Sequence, residues 1–315
     1  MRRFIYPALM LLLVMFAGST AHTSALASTR AANLIGAYAD DWPSANSTIG
    51  PLDTNKFFYK DGLPASATDP TSNNNKPGCE ATDPATGNLV YPLNVTCIIT
   101  YGAVNSPNNL DSFLASINPN RHVILAFCNE PEIHMGPSGC VCDLPLWTSP
   151  APCSTAGNFI LQFDEQSQAV QSFLNNHPAY HIQFAEDSWA GYYSPTQPDC
   201  SFIVPPSSVN YYFVDVYEQN NTGQDLGQDT AWNNWVGCTD NNAGVTRGIA
   251  EYGINCGGDK STLYKTFNAD QTYLENHFQN LELWALWYAG GCLFTNQKAI
   301  TAWQLIEDGL TGHPL

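Results

Sequence analysis

Short apolar runs, each stopped by a polar residue, Pro or Gly, recur along this chain: Asn33–Tyr38, Cys97–Tyr101, Val123–Cys128, His181–Ala185, Tyr211–Val216, Gly248–Ala250 and Leu283–Tyr288. Runs this short, bounded by turn residues, predict buried strands. Between some of them the period lengthens to that of a helix. Phe159, Leu161, Phe163, Val170, Phe173 and Leu174 can share one side of a helix over 159–175, and 263–278 and 299–306 predict two more. A further strand is expected within 42–96, at Lys56-Phe57-Phe58-Tyr59. The rest of that region is rich in Pro, Asn, Thr and Asp and carries no convincing amphipathic helix, so it reads as a long ordered loop excursion. Strands alternating with helices predict a parallel sheet, and eight of them in this length predict an α/β fold, a single-domain (β/α)8 TIM barrel.

The first residues stand outside that pattern. Arg2 and Arg3 precede the apolar stretch Phe4–Ala17, and Ala25-Leu26-Ala27 is a small-residue cleavage site. Residues 1–27 are therefore expected to be a signal peptide and 28–315 the secreted domain. The apolar stretch is short for a membrane span, and no later segment is long enough for one, so no membrane partner is expected after cleavage. All ten cysteines, Cys79 to Cys292, follow the cleavage site, and an even count in an exported chain predicts disulfides. Cys79–Cys97 is the bridge expected to pin the loop excursion. Cys140-Val141-Cys142, with Cys128 and Cys153 nearby, lacks the ligand spacing of a zinc site, and no metal or other cofactor is expected.

Charge narrows the partners. The net charge of −17 becomes −19 once Arg2 and Arg3 leave with no acid lost. Such a surface repels phosphate backbones and anionic lipid, which excludes nucleic acid and favours a neutral substrate for a monomeric protein.

Two glutamates end apolar runs where parallel barrels keep their active sites: Asn129-Glu130-Pro131 follows Val123–Cys128, and Glu251-Tyr252-Gly253 follows Gly248–Ala250. With Lys56–Tyr59 as the second strand, these glutamates end strands four and seven. The chain thus resembles the clan-A (4/7 superfamily) retaining (β/α)8 glycoside hydrolases, as a divergent member of the mannanase- or glucanase-like endo-glycanase type. In that clan an Asn-Glu-Pro-type motif ends strand four, and a Glu before an aromatic residue and Gly ends strand seven. The resemblance implies a polysaccharide or oligosaccharide substrate, Glu130 as acid/base, Glu251 as nucleophile, and Asn129 as a donor to the sugar 2-hydroxyl. It also implies a Trp under the sugar ring from strand eight, matching Trp287 or Trp284, and a Tyr on the nucleophile, matching Tyr217. The chemistry needs two unlike carboxyls: one protonated to release a poor leaving group, one ionised to attack the anomeric carbon.

Other residues at the same face are weaker candidates. Trp189 and Tyr38 could stack on a sugar face, and Glu186, Asp187 and Asp40 lie beside them in sequence. Glu132 is the nearest rival to Glu130, and beyond Pro131 it reads as a subsite or structural group. His134 has no Ser or Cys nucleophile motif with it, and neither a Gly-x-Ser-x-Gly elbow nor a Gly-rich phosphate loop is present. The competing reading is a non-catalytic carbohydrate-binding protein on a decayed barrel.

Overall fold

The structure, a computed structural model, describes residues 34–38, 42–59, 62–71, 75–102, 107–134, 155–194, 199–218, 224–240, 242, 244–254, 263–278, 281–287, 298, 300, 301, 303 and 304. Eight parallel strands close into a barrel in chain order. They are β1 (Leu34–Tyr38), β2 (Thr54–Tyr59), β3 (Thr96–Tyr101), β4 (His122–Asn129), β5 (His181–Trp189), β6 (Tyr211–Glu218), β7 (Thr246–Ile254) and β8 (Leu283–Trp287). Closure is made by β8 against β1, from Leu34↔Leu283 to Tyr38↔Trp287. The helices are α1 (Trp42–Ile49), α2 (Pro107–Ala115), α3 (Pro131–His134), α4 (Ala156–Asn176), α5 (Thr230–Thr239) and α6 (Leu263–His277).

The alternation of strand side chains sorts the apolar residues into two layers. Ile98, Ile124, Ala126, Ala185, Phe213, Ala250, Leu283 and Ala285 fill the barrel interior. Residues of opposite phase, such as Ile99, Leu125, Phe184, Val214 and Trp284, pack outward against the helices, with Trp232, Trp235 and Trp303. Gly248 stands where an added Cβ would lie 2.8 Å from the Phe213 ring and 2.9 Å from Leu283, so its lack of a side chain makes room for both.

Several expectations need correction. A helix, α1, occupies part of the expected excursion: its Trp42, Ala45 and Ile49 are buried, a stripe obscured by the Pro, Ser, Asn and Thr among them. Leu161 is 61% exposed, whereas Phe159, Phe163, Val170 and Phe173 are buried. Two residues beyond Phe159, Leu161 is turned by about 200° to the far side of α4. The capping of α4 is ordinary: the Thr155 hydroxyl accepts from the Asn158 N–H at 3.2 Å. Strands β5, β6 and β7 run past the apolar stretches that marked them, through Glu186 and Asp187, Tyr217 and Glu251. Charge inside those strands signals a buried polar layer, not a strand end.

The excursion between β2 and β3 is held in place as expected by the Cys79–Cys97 disulfide. Arg121, at the foot of β4, also anchors it. This fully buried guanidinium meets Glu80 Oε1 at 2.8 Å and donates to the carbonyls of Tyr91, Pro92 and Val95 at 2.8–2.9 Å. A second disulfide, Cys200–Cys238, ties the loop after β5 to α5, and Cys128 is also disulfide-bonded. No cysteine among the described residues is free. Among the described residues no helix is long and apolar enough to cross a membrane.

Candidate active site

Strand phase explains which charges enter the barrel. Lys56 stands beside the interior residue Ile98 in the β2–β3 register. Asp187 follows the interior residue Ala185 by one alternation, and Asp215 follows Phe213 in the same way. Asn129 and Glu251 have the wrong phase, and a bulge corrects each. Against β5, Ala126 pairs with Ala185 and Asn129 with Asp187, so β4 carries an extra residue. Against β6, Ile249 pairs with Val214 and Glu251 with Asp215, so β7 does too. Bulges at barrel rims re-aim side chains in this way. At the β4 bulge Cys128 and Glu130 take left-handed φ values of 62° and 48°. Such backbone costs on the order of 1–3 kcal/mol per residue. It is held by the disulfide at Cys128 and by the Glu130 N–H donating to the Asp187 carbonyl at 2.8 Å.

The centre of the arrangement is a buried lysine. Lys56 Nζ lies 2.7 Å from Asp187 Oδ2, 2.9 Å from Glu251 Oε1 and 3.4 Å from Asp215 Oδ1. It also donates to Asn129 Oδ1 at 3.0 Å. Burial alone would lower its pKa, but Asp187, Asp215 and Glu251 outweigh burial and hold it well above the ordinary value. Around this one cation the carboxyls resist ionising together. Burial, then the charges of Asp187 and Glu251, push Asp215 well up. Burial also raises Asp187, opposed by Lys56. Burial and the neighbouring charge of Glu251 push Glu130 up to about 8. Glu251 is 5% exposed, and its Oε2 accepts from the Tyr217 hydroxyl. Burial and Glu251 in turn hold that phenol far above its usual range.

Glu130, Glu251, Asn129 and Tyr217 therefore form one constellation at the C-terminal ends of β4, β6 and β7. Tyr38, at the exit of β1, is buried, edge-on to Phe58 at 5.2 Å, and carries the Lys76 ammonium on its ring at 3.6 Å. Trp189 ends β5 half-buried, with its ring against Gly191. Trp287 ends β8, and its side chain lies outside the described residues, as do Asp40 and the side chain of His134. Trp284, the other match on that strand, is fully buried against Tyr252 and Trp303 on the outer face.

Glu186 and Glu132 form a second buried network behind the mouth. Glu132 accepts from the Tyr193 hydroxyl at 2.9 Å and the Trp189 N–H at 3.2 Å, and burial pushes it up to about 7. Glu186 accepts from the Ser188 hydroxyl at 2.7 Å and the Val204 N–H at 2.8 Å, and burial pushes it up to about 8. Glu132 thus ties α3 to the end of β5, and Glu186 ties β5 to the loop at Val204. The pattern of apolar runs marks Lys56 and Asp215 only as strand residues. The available signal was a lysine inside an aromatic run in a chain with 11 Lys and Arg against 28 acids. Among the described residues no group of His, Cys, Asp or Glu is placed to hold a metal ion. The ammonium of Lys56 occupies the space between Asp187, Asp215 and Glu251.

No family model matches the chain, and no curated protein does. Solved structures do. The catalytic domain of a GH26 endo-β-1,4-mannanase from Bacillus sp. JAMB-750 superposes with a TM-score of 0.53 at 12% identity, covering 89% of this chain and 86% of that one. A modular endo-β-1,4-mannanase from Cellulomonas fimi gives a TM-score of 0.53 at 10% identity, covering 87% of this chain and 71% of that one. At such identity the likeness is one of fold. In fold, then, the chain is a closed (β/α)8 barrel similar to the barrels of these endo-β-1,4-mannanases.

Proposed function

We propose that the protein is a secreted, monomeric retaining glycoside hydrolase acting on a neutral β-linked polysaccharide or oligosaccharide, with Glu130 as acid/base and Glu251 as nucleophile. The observation that carries this reading is the unlike setting of two adjacent carboxyls. Glu130 is pushed up to about 8 by burial and by Glu251, whereas Glu251 is ion-paired to Lys56 and hydrogen-bonded by Tyr217. Pairs of titratable groups in contrasting environments are how acid and base roles are divided. In the first step Glu130 gives its proton to the glycosidic oxygen while Glu251 bonds to the anomeric carbon and the sugar–oxygen bond breaks. In the second, Glu130, now a carboxylate, takes a proton from water as the water displaces Glu251 and restores the original configuration. Asn129 contributes a hydrogen bond to the 2-hydroxyl. Trp189 and Trp287 supply the ring faces on which a sugar stacks, and Tyr38 shapes the wall at β1.

Export is supported by the disulfides Cys79–Cys97 and Cys200–Cys238 and by the Arg2–Ala27 pattern, which lies outside the described residues. A β-linked polysaccharide substrate is in keeping with the fold shared with endo-β-1,4-mannanases. The test is turnover of mannans, xylans and glucans by the purified protein beside Glu251→Gln. Reducing ends released by the first and not by the second support the proposal. Polysaccharide binding without turnover in either makes the protein a sugar-binding barrel.

A further inference from the structure

We infer that Lys56 is a positioning residue that fixes which way the Asn129 carboxamide faces, and so builds recognition of the substrate's 2-hydroxyl into the barrel floor. This rests on the proposed glycosidase reading and adds to it a residue outside the two motifs. An ammonium has three donors and no acceptor. The Asn129 atom 3.0 Å from Lys56 Nζ must therefore be the carboxamide oxygen, because the flipped amide would set donor against donor. With its oxygen held below, the amide turns its two N–H donors to the other side, away from the ammonium.

The Lys56 ammonium and the Asn129 backbone are both held in place. Lys56 is fully buried and pinned by carboxylates from three successive strands, Asp187 on β5, Asp215 on β6 and Glu251 on β7, with the Phe58 ring 5.0 Å from its nitrogen. Asn129 sits between two left-handed residues, Cys128 and Glu130, in a backbone fixed by a bulge. Lys56 opposes the flip of its amide. The same ammonium contacts Glu251 Oε1, so one group sets the spacing between the nucleophile and the 2-hydroxyl donor. Their targets, C1 and the oxygen on C2 of one sugar ring, are themselves held at fixed spacing. A contact to the 2-hydroxyl strengthens in the transition state only if its donor is already in place.

A purely structural lysine would affect every substrate alike, whereas a positioning lysine acts through one hydroxyl. The test compares 2,4-dinitrophenyl β-glucoside and β-mannoside with their common 2-deoxy analogue, corrected for spontaneous hydrolysis. The enzymes are the wild type, Asn129→Ala and Lys56→Met. In the wild type the preferred 2-hydroxy substrate should exceed the 2-deoxy analogue in kcat/KM by on the order of 10²-fold or more. In both variants that ratio should collapse to within about threefold. A wild-type ratio in folded Lys56→Met overturns the inference. Because Lys56→Met leaves three carboxyls without their cation and can fail to fold, the pair Lys56→Met/Asp187→Asn serves as the second variant, with the same expectations. If the wild type turns over neither these glycosides nor mannans, xylans or glucans in a Glu251-dependent way, the glycosidase reading has failed separately. The positioning claim is then decided by the crystal structure of the double variant. An Asn129 side chain moved from its place supports it, and one that stays put overturns it.

Discussion

At the scale of single residues, the two glutamates should respond differently to the same treatment. Glu130 keeps its proton through neutral pH because burial and Glu251 push it up to about 8. In the proposed acid role the protonated form is the useful one, so kcat/KM on an unactivated polysaccharide should hold through neutrality and fall as pH rises through about 8. A rate that falls already between pH 5 and 6 would contradict that assignment. Glu130→Ala should lose about 10²- to 10⁴-fold on polysaccharide and much less on a 2,4-dinitrophenyl glycoside, whose leaving group departs without a proton. Equal losses on both substrates would remove Glu130 from the acid role. The glutamates themselves were visible in the sequence because each follows an apolar run and has a turn-forming Pro or Gly within two residues. Lys56 was hidden for the opposite reason: it lies inside such a run, and its partners Asp187 and Asp215 come from strands more than a hundred residues away. A one-dimensional pattern cannot show that three strands present the same phase at the same height.

At the scale of elements, the strands were legible and their ends were not. Every apolar run became a strand of the barrel, because a core-facing stretch needs apolar side chains on both faces of a doubly covered sheet. Apolarity marks where a strand enters the core, whereas its end is set by pairing with neighbours, so β5, β6 and β7 continue through charged residues. The bulges that bring Asn129 and Glu251 inward leave no compositional trace at all. Two elements yield tests. Arg121→Met would leave Glu80 and the carbonyls of Tyr91, Pro92 and Val95 without their donor. Breaking a buried pair of this kind costs about 3–5 kcal/mol. Urea unfolding should show that loss, and a change below about 1 kcal/mol would mean that the excursion is held otherwise. The stability contributed by buried Glu132 and Glu186 should depend on pH. Burial raises Glu132 from 4.5 to about 7 and Glu186 from 4.5 to about 8 in the folded protein. A raised folded value means that the native state binds the extra proton, so this stability is present below about 4.5 and is lost as pH rises through 7 to 8. Between pH 5 and pH 8 the wild type should lose on the order of 3 kcal/mol more than Glu132→Gln, whose side chain cannot ionise. Parallel urea curves for the two proteins would show that Glu132 ionises freely.

At the scale of the molecule, a barrel wall supplies what two isolated motifs cannot. Opposed strands bring Glu130 and Glu251 within electrostatic reach, and a floor of one lysine and two aspartates beneath them fixes their neighbours. Disulfides stabilise the long connections that such a barrel carries. Replacing Cys79 and Cys97 with Ala should cost about 3 kcal/mol for a loop of this size, read from the urea midpoint of the double variant against wild type. Both steps of the proposed reaction need Glu251 to bond to the anomeric carbon. The most direct test gives Glu251→Ala an activated aryl β-glycoside with azide and determines the anomeric configuration of the product by proton NMR. Azide entering the space left by the nucleophile should yield the inverted α-glycosyl azide, while Glu130→Ala with azide yields the β product. A β-azide from Glu251→Ala would mean that the roles are exchanged, and undiminished hydrolysis by that variant would place the nucleophile elsewhere.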